Sequence, residues 1–331
     1  MQLLITGASG AIGGRLVQRL LSEGDTVRAL IRKTSDVRDF RSSKIELYYG
    51  DITEPESIKR ALEDVDLVYH LAAIVPPRLW KISRKTVWDV NCQGTLNLLE
   101  ACRRREVKKF VYASTVGVMG YIDRGRADES HPYDPQDFYE ETKCEAEKLV
   151  LRYHKEYGVP TTVIRIPAVY GPGLIHGMVK LFQTVQNRRF RFLGNGESLI
   201  HLIYIDDLVE AFLLTRKQDR AVGEVYIVGM QDPVTWSEYV NTIAEVMGID
   251  PPNGHIPVWL AKMLGFFSET LLRPFSKDEP YLVRYRVDWV TKNSSYDISK
   301  VIRELGFEPK TCLREGLEKT VEWYRKYGYL K

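Results

Sequence analysis

Apolar runs and stretches of helical spacing alternate through the first half of the chain. The run at residues 3–6 predicts a short buried strand, and the next segment, 12–23, carries Ile12, Leu16 and Leu20 at helical spacing. The same alternation predicts further strands over residues 27–31, 45–49, 67–72, 110–113 and 162–166, and further helices over residues 58–62, 90–104 and 139–157. Strands separated by helices indicate an α/β fold, a doubly wound parallel sheet whose crossovers share one hand.

Beyond about residue 170 this alternation loosens. Turn-rich segments, a late strand and a helical tail follow instead, at residues 171–173, 194–196, 224–228 and 313–327. The change of pattern predicts two interwoven domains. A cofactor domain spans residues 1–170, with residues 200–230 returning to it, and a smaller substrate domain takes up most of residues 171–331.

The composition excludes several classes of protein. With 331 residues, 44% of them apolar and 27% charged, the chain can bury a large core, and its net charge of +3 is too small to steer it to nucleic acid. Two basic runs, at residues 103–105 and 188–191, are interpreted as solvated surface. The four cysteines have neither disulfide nor zinc spacing, so we expect no metal site and a reducing, cytoplasmic location.

The segment nearest in character to a membrane span is residues 256–275. Lys262, Glu269 and Arg273 interrupt it, and its apolar stretch is shorter than the ~20 residues that a span needs. A weak association with a bilayer surface is one interpretation of such a segment. The preferred prediction is a helix packed within the second domain, with most of its apolar side chains in the core.

A glycine-rich loop, TGASGAIG, lies between the first predicted strand and the first predicted helix. Gly7, Gly10 and Gly13 have the spacing of a dinucleotide fingerprint. The first permits a sharp turn, the second lets the backbone approach a pyrophosphate, and the third lets the helix pack closely on the strand. The phosphates would lie at the helix N-terminus, beside Ala11 and Ile12. This context predicts a Rossmann-type, dinucleotide-binding domain.

Residues after the next strands bear on the type of cofactor. An acidic residue after the second strand would bind the ribose 2′-hydroxyl of NAD, but this chain has Arg32 there. A guanidinium pairs with a 2′-phosphate and stacks on adenine, so NADP(H) is favoured and NAD(H) is the alternative. Asp51 and Ile52 follow the third strand, where the carboxylate would accept from the adenine amino group. Three residues after the fourth strand would leave room for the cofactor: Leu71, Ala72 and Ala73.

A tyrosine and a lysine lie one helical turn apart, at Tyr139 and Lys143. A phenol titrates near pH 10, so it is a poor base at neutral pH. A neighbouring ammonium stabilises the phenolate, and we therefore expect Lys143 to lower the pKa of Tyr139 and to bond the cofactor ribose. Ser114 and Thr115 end the preceding strand, where a hydroxyl can hold a substrate oxygen.

These motifs follow one another in a characteristic order. They read TGASGAIG, GDIT, HLAA, Asn91 in the following helix, AST, YEETK and RIPAVYGPG. Over nearly its whole length the chain resembles the extended short-chain dehydrogenase/reductases, also called the NAD-dependent epimerase/dehydratase family. The resemblance implies that Asn91 is a structural or proton-relay residue and that Pro167 lies near the nicotinamide. It also implies that the C-terminal domain supplies substrate specificity.

The same resemblance implies roles for the hydroxyl and amine groups. Tyr139 is expected to be the general acid/base, and Lys143 to activate the phenol and bind the ribose. Thr115 is expected to orient the substrate, with Ser114 as its neighbour in the motif. A homodimer through a four-helix interface, formed by the two long helices of the first domain, is also implied.

Some positions depart from the sugar-nucleotide branches of that family. The 4,6-dehydratases carry Asp-Glu after the catalytic hydroxyl, where this chain has Val116 and Gly117, so we do not expect dehydration. Sugar-nucleotide enzymes commonly have asparagine where this chain has Ala168, and an arginine where it has Ile200. Neither side chain offers a donor to a diphosphate. The remaining motifs resemble the 3β-hydroxysteroid dehydrogenases and dihydroflavonol reductases.

The leading hypothesis is therefore an NAD(P)(H)-dependent oxidoreductase. It would interconvert a secondary alcohol and a ketone on a largely apolar small molecule, steroid- or flavonol-like, with Tyr139 exchanging the proton and Thr115 bonding the reacting oxygen. A nucleoside-diphosphate-sugar 4-epimerase, which would retain its cofactor, is the alternative. A non-catalytic dinucleotide sensor is a second alternative, although such proteins typically lack the tyrosine and lysine pair.

Overall fold

The secondary structure alternates between strand and helix through the first half of the chain. The computed structural model describes residues 1–37, 40, 44–76, 82–175, 177–272, 280 and 282–331. In these ranges the strands are β1 (Gln2–Thr6), β2 (Thr26–Ile31), β3 (Ile45–Tyr49), β4 (Leu67–His70), β5 (Lys109–Thr115), β6 (Thr161–Ile166), β7 (Ala168–Tyr170), β8 (Phe192–Leu193), β9 (Leu199–Ile200), β10 (Leu202–Tyr204), β11 (Val225–Ile227), β12 (Val234–Thr235) and β13 (His255–Ile256). The α-helices are α1 (Ala11–Ser22), α2 (Pro55–Ala61), α3 (Arg84–Trp88), α4 (Gly94–Arg104), α5 (Phe138–Tyr157), α6 (Met178–Gln186), α7 (Ile205–Lys217), α8 (Trp236–Met247), α9 (Val258–Leu272), α10 (Arg284–Thr291), α11 (Ser299–Leu305) and α12 (Leu313–Lys326).

A parallel sheet runs through the middle of the fold. Among the described residues it has seven strands in the order β11-β6-β5-β4-β1-β2-β3, and every neighbouring pair is parallel. The chain winds outward from β1 in both directions, so the carboxyl ends of β1 and β4 border the crevice where α/β sheets bind ligands. The predicted doubly wound, Rossmann-type α/β fold is confirmed.

Helices cover both faces of this sheet, and the strand sequences are apolar for that reason. Every residue of β4 and β6 is buried, as expected of parallel strands that helices cover on both sides. On one face α1 packs beside α7 and buries Leu16 and Leu20, as its helical spacing predicted. It also buries Val17, whereas Ile12, the third predicted position, is only partly buried. On the other face α2, α4 and α5 share a second apolar cluster.

A third apolar cluster lies in the second half of the chain. It joins α6, α8 and α12, where the rings of Phe182 and Tyr324 meet edge to face at 5.1 Å between centroids. Short strand pairs, β7 with β10, β9 with β12 and β8 with β13, connect the surrounding loops. The late strand β11 returns to the main sheet beside β6. The division into two domains near residue 170 stays a prediction.

The helix predicted over residues 90–104 is interrupted. A π turn over Asp89–Gln93 separates α3 from α4, and the helical segment begins six residues earlier than predicted, at Arg84. A π turn holds an extra residue, and such turns concentrate at functional sites. Asn91 lies inside this one.

The apolar segment after residue 256 also differs from its prediction. It forms the helix α9, but Trp259 is 68% exposed and Leu271 is 63% exposed, whereas Ala261 and Gly265 are buried. The prediction that most of its apolar side chains belong to the core is therefore wrong. No helix in the described part of the chain is long and apolar enough to cross a membrane.

Candidate functional site

The turn between β1 and α1 is tight. At two of its glycines the surrounding backbone leaves no room for a side chain. Gly7 has a φ of +74°, and a Cβ there would lie 2.7 Å from the amide nitrogen of Ala72. A Cβ on Gly13 would collide with the carbonyl of Gly7. The amide of Gly10 donates to that same carbonyl at 3.0 Å. The backbone path thus requires glycine at positions 7 and 13 and leaves only a tight space at Gly10, where a Cβ would lie 3.2 Å from the Gly7 carbonyl oxygen.

Helix α1 begins directly after this turn. Gly10 is its N-cap residue, no side chain caps the first turn, and no acidic residue lies in it. The first amides of a helix lack partners within the helix and carry partial positive charge, and Ala11 and Ile12 contribute two of them. Gly173 brings the loop after β7 to the same place, since a Cβ there would lie 3.8 Å from that of Ala11. A glycine cradle with unpaired amides fits a dinucleotide pyrophosphate.

The residues predicted to bind the adenosine half follow two neighbouring strands. Arg32 follows β2 and is exposed. Asp51 follows β3, and its Oδ1 accepts from the amide and the hydroxyl of Thr53, at 2.9 and 2.8 Å. Ile52 is 6% exposed and packs in the core. Because β2 and β3 pair in parallel, with Ile31 opposite Tyr49, Arg32 and Asp51 both follow the carboxyl edge of the sheet.

A chain of hydrogen bonds joins the glycine loop to the π turn. The amide of Ala72 donates to the Thr6 hydroxyl at 3.2 Å, and this hydroxyl lies 2.7 Å from Nδ1 of His70. On the other side, Nε2 of His70 lies 2.9 Å from the hydroxyl of Thr95, which donates to the Asn91 carbonyl at 2.7 Å. Burial lowers the pKa of His70 to about 3, so the imidazole is neutral and serves as a structural link.

Asn91 fastens the segment after β4 to α5. Its Oδ1 accepts from the Ile74 amide at 2.8 Å, and its Nδ2 donates to the Ile74 carbonyl at 3.1 Å and to the Thr142 hydroxyl at 2.9 Å. That hydroxyl donates in turn to the backbone carbonyl of Tyr139 at 2.7 Å. The half-buried segment with Leu71, Ala72 and Ala73 is therefore held against the start of α5.

Helix α5 begins just before the predicted pair, Tyr139 and Lys143. Asp137 caps it by accepting from the Glu140 amide at 2.8 Å, so Tyr139 lies in the first turn and Lys143 lies one turn later on the same face. Tyr139 is partly exposed, whereas Lys143 is buried. The helix thus places a partly exposed tyrosine one turn before a buried amine.

The amine of Lys143 sits at the carboxyl end of β5. Its Nζ donates to the carbonyl of Ala113 at 2.6 Å and lies 4.1 Å from the ring centroid of Tyr112. Burial lowers the pKa of Lys143 to about 7, although the Glu147 carboxylate acts in the opposite direction. The side chain therefore changes its charge near neutral pH.

The phenol of Tyr139 does not have the pKa that the sequence analysis predicted. Burial raises that pKa above its usual value, and the carboxylates of Asp137 and Glu140 raise it further. The predicted lowering by Lys143 is thus wrong for this arrangement, because burial disfavours the charge of the amine as well as that of the phenolate. In this state the phenol holds its proton.

The two hydroxyls at the end of β5 lie on opposite faces of the sheet, because successive side chains alternate along a strand. Ser114 is 4% exposed and donates to the buried Glu147 carboxylate. Thr115 is partly exposed, and its Oγ1 accepts from the Gly117 amide at 3.2 Å at the start of a short 3₁₀ turn. The accessible hydroxyl is that of Thr115, whereas the hydroxyl of Ser114 is engaged in the core.

A buried ion pair that the sequence analysis missed supports this strand end. Glu147 is 0% exposed and Arg165 is 3% exposed, and their Oε1 and Nη2 atoms are 2.8 Å apart. The Tyr133 hydroxyl donates to the same Oε1 at 3.0 Å. Two signals for this pair are present in the sequence: Glu147 follows Lys143 by one helical turn, and Arg165 is a charge within an otherwise buried strand.

An acidic group lies beside the turn after Thr115, but it comes from α5. A Cβ on Gly117 would lie 2.5 Å from Oε1 of Glu140, and the Glu140 carboxylate accepts from the Gln136 amide at 2.7 Å. Burial raises the pKa of Glu140 to about 8, with added repulsion from Asp137. Val116 and Gly117 stand where dehydratases have Asp-Glu. Here the side chain of Glu140 occupies the space beside Gly117.

Replacing Glu140 with glutamine is expected to stabilise the protein above neutral pH. The folded-state pKa of about 8 exceeds the ordinary 4.5, so wild type loses stability as the pH rises from about 4.5 to 8. The Tm difference between Glu140→Gln and wild type should therefore grow from near zero at pH 4.5 to a maximum above pH 8. Thermal unfolding across this range measures it, with Glu141→Gln as the exposed control. An equal Tm difference at all pH values would contradict the assignment.

The positions that bear on a sugar-nucleotide substrate offer no donors. Ala168 opens β7 and is half-buried, and Ile200 is 3% exposed within the third apolar cluster. Pro167 is buried between β6 and β7. Both ring nitrogens of His201 contact backbone, at 2.7 Å from the Met230 carbonyl and 3.1 Å from an amide nitrogen, so this histidine is structural. Within the described ranges, no group of three or more metal-ligating side chains is placed to hold a metal ion.

The chain matches the model of one protein family and is similar to several enzymes. The family model "NAD dependent epimerase/dehydratase family" matches residues 3–229. The short-chain dehydrogenase/reductase family 42E member 1 of Danio rerio is 30% identical over 99% of this chain and 89% of that protein. A 3-beta-hydroxysteroid dehydrogenase of Mycolicibacterium neoaurum is 29% identical over 98% of this chain and 91% of its own length. The UDP-glucose 4-epimerase of Thermotoga maritima, solved with UDP-glucose, has a TM-score of 0.80 and 26% identity over 99% of both chains.

Proposed function

Because the chain belongs to the NAD-dependent epimerase/dehydratase family, we propose that it interconverts a secondary alcohol and a ketone on a largely apolar small molecule, steroid- or flavonol-like. Relatives in this family are NAD-dependent dehydrogenases, reductases and epimerases, and the prediction of an enzyme of this family is confirmed. One observation carries the finer proposal. The partly exposed Tyr139 lies one turn from the buried amine of Lys143, and this amine meets the strand that ends in the partly exposed Thr115.

The chain's own groups supply the proton chemistry of this reaction. The glycine cradle would hold the pyrophosphate of a nicotinamide dinucleotide, and the bound nicotinamide would supply hydride to a carbonyl or accept it from an alcohol. In the reducing direction Tyr139 donates its proton to the carbonyl oxygen while negative charge develops there, and its raised pKa keeps that proton available. Thr115 donates a second hydrogen bond to the same oxygen. Lys143, when protonated, stabilises the phenolate that is left.

The substrate class rests on the donors near the proposed substrate position. A diphosphate binds only where charge-assisted hydrogen-bond donors replace its hydration. Ala168 and Ile200 supply no such donors. The similarity to a 3-beta-hydroxysteroid dehydrogenase supports an apolar, steroid-like substrate. We therefore favour a ketone or secondary alcohol on a fused-ring molecule.

Turnover on a panel of carbonyl compounds tests the proposal. The panel contains a 3-keto steroid, a dihydroflavonol and a short hydrophilic keto acid, each supplied with NADPH or NADH. We expect reduction of at least one of the two fused-ring ketones and no reduction of the keto acid. Failure on every fused-ring ketone, together with failure to oxidise the matching alcohols, would overturn the proposal.

A second candidate function is epimerisation of a sugar nucleotide. The similarity to the UDP-glucose 4-epimerase of Thermotoga maritima favours it. An epimerase retains its cofactor and reduces its own keto intermediate, so it would be isolated with NAD bound and would be stabilised against heat by UDP-sugars. We expect neither property here. Conversion of UDP-glucose without added cofactor would establish the epimerase and remove the apolar-ketone reductase.

We propose NADP(H) as the preferred cofactor within this NAD-dependent family. Arg32 is an exposed cation at the end of β2, where a 2′-phosphate would lie. Replacing Arg32 with alanine should weaken NADPH binding at least about tenfold and leave NADH binding nearly unchanged, because charge-assisted hydrogen bonds to the phosphate are lost. Fluorescence titration with both cofactors measures this, and NADH is the internal control. An equal loss for the two cofactors would remove Arg32 from the 2′-phosphate site.

We also propose a homodimer that pairs α4 and α5 with the same helices of a second copy. These helices pack on each other on one side of the sheet, so a twofold axis beside them would form a four-helix interface. Gel filtration with light scattering should give twice the mass of the chain. A monomer at all concentrations would contradict the proposal.

A further inference from the structure

Helix α9 packs on the protein through its small side chains and not through its large ones. Ala261 is fully buried, and Gly265 is buried against the start of α10. A Cβ on Gly265 would lie 3.1 Å from the amide nitrogen of Arg284 and 3.3 Å from the carbonyl carbon of Val283. A larger residue there would require the backbone at the start of α10 to shift. The side of α9 with the small residues is therefore the side that packs against the rest of the protein.

The large apolar side chains of α9 face solvent. With about 100° between successive residues, they occupy one arc about 160° wide. We call this arc the apolar face of α9; it consists of Trp259 (68% exposed), Leu271 (63%), Phe267 (49%), Phe266 (47%), Met263 (42%) and Leu264 (42%). A contiguous apolar patch of this kind on a soluble protein marks an interaction surface.

A group of arginines lies beside the beginning of this face. Arg188, Arg189 and Arg191 are exposed in the loop before β8, and we call them the arginine loop. Strand β8 pairs with β13, which leads directly into α9, and the side chain of Arg191 contacts Gly254. Within the described residues Arg188 pairs with Asp250 at 3.1 Å, whereas no ion pair involves the other two arginines. The basic run and the apolar segment, both left outside the proposed reaction, are thus neighbours in space.

We propose that the apolar face of α9 and the arginine loop together dock the protein onto the surface of an anionic lipid bilayer. Trp and Phe are suited to the boundary between headgroups and acyl chains, and arginines beside them match the charge of anionic headgroups. A second copy of the chain would cover the apolar face but would not by itself place anions on the arginine loop, whereas an anionic bilayer does both. The helix lies on the bilayer and does not span it, in keeping with its 15 residues.

The docking surface is connected to the substrate side of the proposed site. Lys262 of α9 pairs with Asp288 of α10 at 2.7 Å, and the carbonyl of Asn293, just after α10, accepts from the amide of Ile122 at 3.1 Å. Ile122 closely follows the 3₁₀ turn that Thr115 caps. If the proposed function holds, docking brings that side toward the phase in which apolar substrates dissolve. The docking itself does not depend on the proposed function.

Vesicle flotation of the full chain tests the docking. The probes are vesicles of phosphatidylcholine alone and vesicles of equal parts phosphatidylcholine and phosphatidylglycerol. We expect the protein to float with the anionic vesicles and to remain mostly unbound with the neutral ones. The double variant Phe266→Ser/Phe267→Ser should lower partitioning at least about tenfold. The double variant Arg188→Gln/Arg189→Gln should lower it about tenfold on anionic vesicles only.

Matched variants separate docking from general surface effects. Lys59→Gln/Arg60→Gln removes the same charge from the exposed side of α2, and Tyr327→Ser removes an aromatic ring that is 58% exposed. Both variants should bind vesicles like wild type. Thermal unfolding and NADPH binding show whether each variant is folded. If the α9 variant fails to fold, vesicles of brominated lipid give a second reading: wild-type tryptophan emission should be quenched, and Trp259→Phe should lose that quenching.

Several outcomes would overturn the docking proposal. Wild type that binds neither kind of vesicle would do so, as would equal binding by wild type and both double variants. A dimer in sedimentation velocity that Phe266→Ser/Phe267→Ser dissociates, with no vesicle binding by wild type, would assign the face to a second copy. Vesicle binding is read without any substrate, so these results stand apart from the outcome of the ketone panel.

Discussion

Replacing Tyr139 with phenylalanine is expected to lower kcat for ketone reduction by about 10²–10⁴-fold, because the proton donor is lost while the ring remains. Tyr139 is partly exposed, and its raised pKa keeps the phenol in the protonated form that the reducing direction requires. The oxidation of NADPH at saturating ketone measures the effect. The affinity for NADPH should change by less than about twofold, since the glycine cradle is untouched.

The matched control for this variant lies on the same helix. Tyr157 ends α5 and is 50% exposed, and Tyr157→Phe removes the same hydroxyl far along the helix from the proposed site. It should retain wild-type kcat. Equal kcat values for Tyr139→Phe and wild type would remove Tyr139 from the mechanism.

Replacing Lys143 with methionine is expected to lower kcat strongly and to stabilise the fold. Burial holds the pKa of this lysine at about 7 in the folded chain, against 10.5 as the ordinary value, a difference worth at most about 5 kcal/mol. Methionine removes a buried amine that prefers water. The Tm at pH 7 should therefore rise by several degrees, while kcat falls by about 10²–10⁴-fold because the phenolate loses its partner.

The pH dependence distinguishes this effect from improved packing. The folded-state pKa lies below the unfolded value, so wild type gains stability as the pH rises from about 7 to 10.5. The Tm advantage of Lys143→Met should be largest at pH 7 and below and should shrink toward pH 10.5. A constant advantage across this range would mean that packing, and not the burial of a titrating amine, is responsible.

The sequence predicted the parts of the fold that follow from spacing and from glycine chemistry. The apolar runs of β1 and β4 and the periodicity of α1 gave a parallel, doubly wound sheet, which the structure contains. Gly7 and Gly13 of the first turn lie where a side chain would collide with backbone. These predictions succeed because they depend on local backbone geometry.

Other features depend on contacts that spacing does not reveal. The π turn around Asn91 is invisible to periodicity, since it adds one residue and its stability comes from bonds to Ile74 and Thr142. The pKa of Tyr139 depends on burial, which a pair of sequence positions does not give. The outward face of α9 is the clearest case, because apolar composition alone does not distinguish a core helix from one that meets a partner.

A crystal structure of the chain with NADP⁺ tests the central claim most directly, by the distance between the Tyr139 hydroxyl oxygen and C4 of the nicotinamide. We predict a separation of about 4 Å, with room for a substrate carbon beside both groups and with the Lys143 Nζ at the ribose hydroxyls. A nicotinamide ring bound outside the crevice between β1 and β4, or turned away from the start of α5, would contradict the account.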